Sequence, residues 1–69
     1  MTDSVKLEKL IDESGMTRRF IAGKLDITPY ALNLKINNKN EFKPSQIIIL
    51  CDLLHIDSLE ERHLVFFAG

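Results

Sequence analysis

"RRFIAGKLDITPYALNLKINNK", residues 18–39, gathers Arg18, Arg19, Lys24, Lys35 and Lys39 against a single acid, Asp26, in a chain whose formal net charge is −1. Its apolar spacing decides the fold. Thr17, just ahead of it, supplies a hydroxyl that caps a helix, and Ile21, Ala22 and Leu25 form an apolar stripe up to a break at Asp26. Thr28-Pro29 then restarts the chain as an N-cap followed by proline at the first helical position, where its fixed φ helps and its missing N–H costs nothing. Leu32 and Ile36 give this second helix an i, i+4 apolar edge, and the polar run Asn37-Asn38-Lys39-Asn40 ends it. The spacing predicts two short helices separated by about three residues.

The same reasoning extends in both directions. Leu7, Leu10 and Ile11 recur at helical spacing before Ser14-Gly15, so a first helix is expected over residues 4–14. Pro44 opens a fourth over 44–55, with Ile47, Leu50, Cys51 and Leu54 as its apolar face; Ile48, Ile49 and Leu53 make it apolar on more than one side, which marks it as the central helix. "SLEE", Ser58 to Glu61, matches a capping box and opens a fifth helix that runs into "LVFF", Leu64 to Phe67. Four consecutive apolar residues exceed one solvated helix face, so LVFF is expected either to fold back on the core or to meet a second chain or partner. The fold class is therefore all-α, five short helices in one domain over residues 1–69.

Composition narrows the function. With 69 residues, 45% hydrophobic and 28% charged, the chain is a small globular domain too short to enclose a roomy catalytic cavity. "MTDSVKLEK" lacks the apolar stretch of a signal peptide and the longest apolar runs are five residues, so no membrane role and a cytoplasmic location are expected. A single cysteine, Cys51, cannot form an internal disulfide. Cys51 and His55 fall at i, i+4, with His63 further on, but structural zinc normally takes four ligands, and a lone cysteine on an apolar stripe reads as core. No nucleophile elbow, glycine-rich phosphate loop or HExxH pattern is present, so neither enzyme nor cofactor is expected.

Charge is distributed unevenly. Residues 1–17 sum to −2 and residues 44–69 to −3, whereas residues 18–43, with six bases against Asp26 and Glu41, sum to +4. The basic segment coincides with the close helix pair, which is the pattern of a helix-turn-helix: the second helix enters the DNA major groove and the first lies across the backbone. Ala22 is small where the two helices touch, and Ile27 and Leu32 fill the wedge between them.

At these residues a resemblance appears. "TRRFIAGKLDITPYALNLKINNK" resembles the Cro and CI-type helix-turn-helix of phage repressors, especially small regulators of phages from Gram-positive bacteria, and "FKPSQIIILCDLLHI" is similar to the loop and fourth helix that follow it there. The resemblance implies a lambda-repressor-like domain, with the helix-turn-helix at 17–37, acting in a lysis-lysogeny switch. That family usually has glycine at the position of Asp26 and a buried aliphatic at that of Lys35. Asp tolerates left-handed φ, and a lysine stem can lie on apolar surface while its ammonium reaches toward phosphate.

Helical geometry then assigns roles. Tyr30, Asn33, Leu34 and Asn37 lie on or near the outward face of the third helix, where Asn33 can pair with adenine, Leu34 can meet a thymine methyl and Tyr30 offers hydroxyl and ring. Arg18 and Arg19 are expected to bind phosphate on one side, with Lys35, Asn37, Asn38 and Lys39 as a second clamp. Each has a plainer reading. Surface bases are commonly a solvated face, Asn37, Asn38 and Asn40 are good turn formers, and Leu34 suits an ordinary exposed leucine or a protein contact. Two functions follow: a repressor that binds double-stranded operator DNA, as a homodimer through Leu64, Val65, Phe66 and Phe67, or a modulator that binds the phage repressor protein instead.

Overall fold

The computed structural model describes residues 1–68 and contains α1 (Ser4–Ser14), α2 (Arg18–Lys24), α3 (Pro29–Ile36), α4 (Pro44–Leu53) and α5 (Leu59–Phe66), with no strand among the described residues. Four of the five helices start at a side-chain cap. The side chains of Asp3, Thr17, Thr28 and Ser58 accept from the amides of Lys6, Phe20, Ala31 and Glu61 at 3.0–3.1 Å, so each satisfies one N–H that the helix itself leaves without a partner. The reciprocal bond of a capping box is found at α4, where Gln46 Oε1 accepts from the Lys43 amide at 2.9 Å. At the predicted box in SLEE only the Ser58 half is made among the described residues.

Three helices end in one motif. After α2, α3 and α4 the chain turns through Asp26 (φ 59°), Asn38 (φ 63°) and His55 (φ 57°), each in the left-handed region that glycine usually takes. The following amide returns to a carbonyl in the last turn: Ile27 to Ala22, Lys39 to Leu34 and Ile56 to Cys51, at 2.8–3.0 Å. This fold-back stops α4 at Leu53, two residues short of the expected end, because it drives Ile56 into the core.

Leu7, Ile11, Ile21, Ala22, Leu32, Ile36, Leu50 and Cys51 fill the centre, with Leu25, Leu54 and Ile56 around them. Leu10 and Ile27, expected inside, only pack against this cluster from partly buried positions. Ala22, on the buried face of α2, is 0% exposed and belongs to the core cluster, where interiors are close-packed. Phe42, in the loop before α4, closes the core edge-on to Phe66, with ring centroids 5.7 Å apart at 86°.

Two expectations are corrected. Helix α4 is not buried all round: Ile48 and Ile49 face solvent, Ile48 at 60% exposure, because α4 packs through Gln46, Leu50 and Cys51 on one side only. LVFF is split rather than buried as a unit or presented as one. Val65 and Phe66 are core, so neither is available to a second chain, while Leu64 and Phe67 point outward. Helical periodicity explains the division, since four consecutive residues span more than one face. Helix α5 is also tied to the start of the chain, the Asp3 amide donating to the Val65 carbonyl at 2.7 Å.

Candidate nucleic-acid interface

Helices α2 and α3 are joined by the four residues Leu25 to Thr28, and Asp26 supplies the left-handed turn between them. On α3, Leu32 and Ile36 are fully buried, which fixes the rotation of the helix. One face is thereby left in solvent. Tyr30, Asn33 and Asn37, spaced i, i+3 and i+7, are all exposed, Tyr30 at 73%, and their side chains make no hydrogen bond among the described residues. Leu34 is half-buried at the edge of this face and contributes little to it.

The bases around α3 divide into free and committed groups. Arg19, Lys39 and Lys43 are exposed. Lys24, also exposed, stands 5.4 Å from the centre of the Phe20 ring, a cation–π contact that keeps its ammonium at the surface. Arg18 is shared: its Nη2 lies 3.8 Å from Glu8 Oε1 of α1, and its Nη1 is buried without a partner. Lys35 is partly buried, and its ammonium donates to the Glu41 carbonyl at 2.8 Å, so it closes the loop after α3 instead of reaching outward.

Asn38 is committed more completely. Its Oδ1 accepts from the Thr2 amide and its Nδ2 donates to the Thr2 carbonyl, both at 2.8 Å, with a longer contact from Nδ2 to Ser4 Oγ at 3.3 Å. The amide expected to hold a phosphate therefore holds the N-terminal segment against the end of α3, and its turn-forming role is the one realised. Ser4 Oγ adds a bond to the Ile36 carbonyl at the same place. The second clamp reduces to Asn37 and Lys39.

Lys24 and Lys43 belong to the basic segment by charge alone, and no motif in the sequence assigns either a role. Glu8 as the partner of Arg18 had no sequence signal, since it lies ten residues away on another helix.

The remaining chemistry-bearing groups form no second centre. No group of three or more His, Cys, Asp or Glu side chains that could hold a metal ion occurs among the described residues. Burial pushes the Cys51 thiol up, offset in part by the nearby Arg62 charge, so at neutral pH it is protonated and a poor nucleophile. No helix among the described residues is long and apolar enough to cross a membrane.

Comparison with protein-family models, with curated proteins and with solved structures yields no significant match. The functional reading therefore rests on the residues and their arrangement.

Proposed function

We propose that the protein is a sequence-specific DNA-binding regulator of the Cro/CI type, with α2, its turn and α3 acting as the helix-turn-helix and α3 entering the major groove. One observation carries this reading. The outward face of α3 presents uncharged hydrogen-bonding side chains that the fold leaves free, Tyr30, Asn33 and, at its C-cap, Asn37, and this helix lies in the segment of positive charge balance, +4 against −2 and −3 on either side. In the groove, Asn33 would pair with adenine N6 and N7, and Tyr30 would contribute a hydroxyl and an aromatic surface. Arg19 and Lys39, with Arg18 in part, would hold phosphates on the two sides of the groove and set the register without reading sequence. The role is that of a cytoplasmic repressor in a phage or prophage switch, with no catalytic step and no cofactor.

A second reading, a modulator that docks on the phage repressor protein, draws support from the same inventory. Arg18, Lys35 and Asn38 are engaged within the fold, and the chain as a whole is slightly acidic, which lowers its affinity for DNA phosphates. One titration separates the two. The purified protein, with and without its cognate repressor, is titrated against its own promoter DNA at several salt concentrations. Saturable binding of the protein alone, weakening with salt and tighter on one site than on random DNA, supports the operator reading. No saturable binding even at low salt, together with tight binding to the repressor protein, overturns it in favour of the modulator.

A further inference from the structure

The last turn of α3 is closed in part from outside the helix. Its final four carbonyls belong to Asn33, Leu34, Lys35 and Ile36, and the residues that follow satisfy three of them. The Asn37 amide donates to Asn33 at 3.0 Å, the Lys39 amide to Leu34 at 2.8 Å and the Asn38 amide to Lys35 at 3.2 Å. The Ile36 carbonyl has no backbone donor among the described residues and accepts instead from the Ser4 hydroxyl at the start of α1, 32 positions away. Ile36 is 0% exposed, so water cannot replace that hydroxyl while the end of α3 keeps its place.

Ser4 stands there because the segment before it is fastened. Asn38, turned back at φ 63°, exchanges two 2.8 Å bonds with the backbone of Thr2, which is 7% exposed. Asn38 Nδ2 also donates to Ser4 Oγ at 3.3 Å, and the single hydroxyl hydrogen of Ser4 is thereby left for Ile36. On either side of Asn38 in sequence are Asn37 and Lys39, both exposed, with side chains that make no hydrogen bond among the described residues. The two side chains left for phosphate therefore stand on a stretch of backbone whose own polar groups are tied to a different helix.

We propose that residues 2–4 position the DNA-facing end of α3: the Thr2–Asn38 pair and the Ser4 cap fix the backbone from Ile36 to Lys39, and so fix in advance the direction in which Asn37 and Lys39 leave the fold. Ser4 and Asn38 touch no DNA and act through those two neighbours. This rests on the reading of α3 as the recognition helix and adds to it a control point outside the helix-turn-helix. A side chain already held in its bound direction has less freedom to lose on binding, a difference of about two- to tenfold in affinity for each side chain so held.

Ser4→Ala is the sharpest test, because it removes the cap on Ile36, keeps the Asp3 cap of α1 and changes no atom of α3. Affinity is measured on the preferred site and on random DNA, at a temperature where melting shows each variant to be folded. Ser4→Ala and Asn38→Gly should each bind both DNAs about two- to tenfold more weakly, with the salt slope unchanged because no charge is removed. In a Lys39→Ala background the loss caused by Ser4→Ala should shrink, since one of the side chains it acts through is gone. Without DNA, the Lys39 amide should exchange with solvent faster in both variants. If Ser4→Ala loses its helical spectrum, Asn38→Gly with and without Lys39→Ala decides the matter in the same way. Folded variants that bind like wild type overturn the proposal and leave these bonds a purely structural role. Weaker binding by Asn38→Gly but not by Ser4→Ala overturns it too, and assigns the Asn38 amide to a phosphate directly, as does a loss of full size in the Lys39→Ala background. A wild-type chain with no saturable DNA binding overturns the DNA reading and the positioning role together, whereas wild type and variants that bind equally well sink the positioning role alone.

Discussion

Thr2 and Asn38 are 36 positions apart and bond to each other as two strand residues would, the Asn38 side-chain amide standing in for a peptide group: Oδ1 takes the Thr2 N–H and Nδ2 gives to the Thr2 carbonyl, both at 2.8 Å. Asn38 can do this because its backbone lies at φ 63°, just past the end of α3, where the chain turns back. The pair joins the first residues of the chain to the end of the helix proposed to read DNA. The Asp3 amide in turn donates to the Val65 carbonyl of α5, so the end of α3 and α5 both converge on the N-terminal segment.

Removing the amide while keeping the turn isolates the value of this pair. Asn38→Gly retains the left-handed backbone and should lose about 1–2 kcal/mol from two part-buried hydrogen bonds, partly offset by relief of backbone strain. Asn38→Ala loses the bonds and strains the turn as well, so it should be the less stable of the two. Denaturant unfolding of both variants checks the order, and faster exchange of the Thr2 amide in Asn38→Gly checks the cause.

The DNA reading predicts different signatures for neighbouring residues. Arg19→Ala should weaken binding to all DNA about equally and lower the slope of log K against log salt by about one, since one fewer counterion is released. Asn33→Ala should cost about 1–3 kcal/mol on the preferred site, with the salt slope nearly unchanged and non-specific binding spared. Glu8→Gln should tighten binding, because it frees Arg18 from its 3.8 Å ion pair; an exposed pair of this kind is worth about 0.2–1 kcal/mol, so the gain should not exceed about fivefold. Titrations at several salt concentrations on specific and random DNA measure all three. Unchanged or weaker binding by Glu8→Gln would mean that the Arg18 guanidinium contacts no phosphate.

Ala22 tests the packing of α2 against its neighbours. It is 0% exposed, and Ala22→Leu adds volume to a filled core, so the variant should lose about 1–3 kcal/mol and melt at a lower temperature. Ala22→Gly should cost less, about 1 kcal/mol from helix propensity together with the loss of one methyl. Thermal unfolding of the pair would contradict the packing described above if Leu were tolerated better than Gly.

His55 carries the left-handed turn that ends α4, and it is exposed. A β-carbon in this conformation costs about 1–2 kcal/mol, and glycine gives back part of that relief through its freer unfolded chain. His55→Gly should therefore stabilise the protein by about 0.5–1 kcal/mol, and His55→Val should destabilise it. Both changes can be read from melting temperature, with α4 and Ile56 expected to keep their places.

The helices were legible because their signals are local. Caps at Thr17, Thr28 and Ser58, prolines at the first turn of α3 and α4, and the stripes through Leu7–Ile11 and Leu32–Ile36 all act within four residues of themselves, so their effect follows from the order of the residues. The outward face of α3 was legible for the same reason, since burying Leu32 and Ile36 leaves Tyr30, Asn33 and Asn37 no other direction. The availability of the polar side chains was a different matter. Whether Asn38 meets a phosphate or Thr2, whether Arg18 stands alone or beside Glu8, and whether Ile48 or Val65 lies inside depend on which residues distant in sequence arrive next to them. A side chain's type states what it can bond to, but only the packed chain states which partner is within 3 Å and which face is already occupied. Sequence order thus determined five helices, three of them with their caps, and a basic centre, and tertiary packing decided which of the basic and amide groups remain free and which apolar residues stay in water.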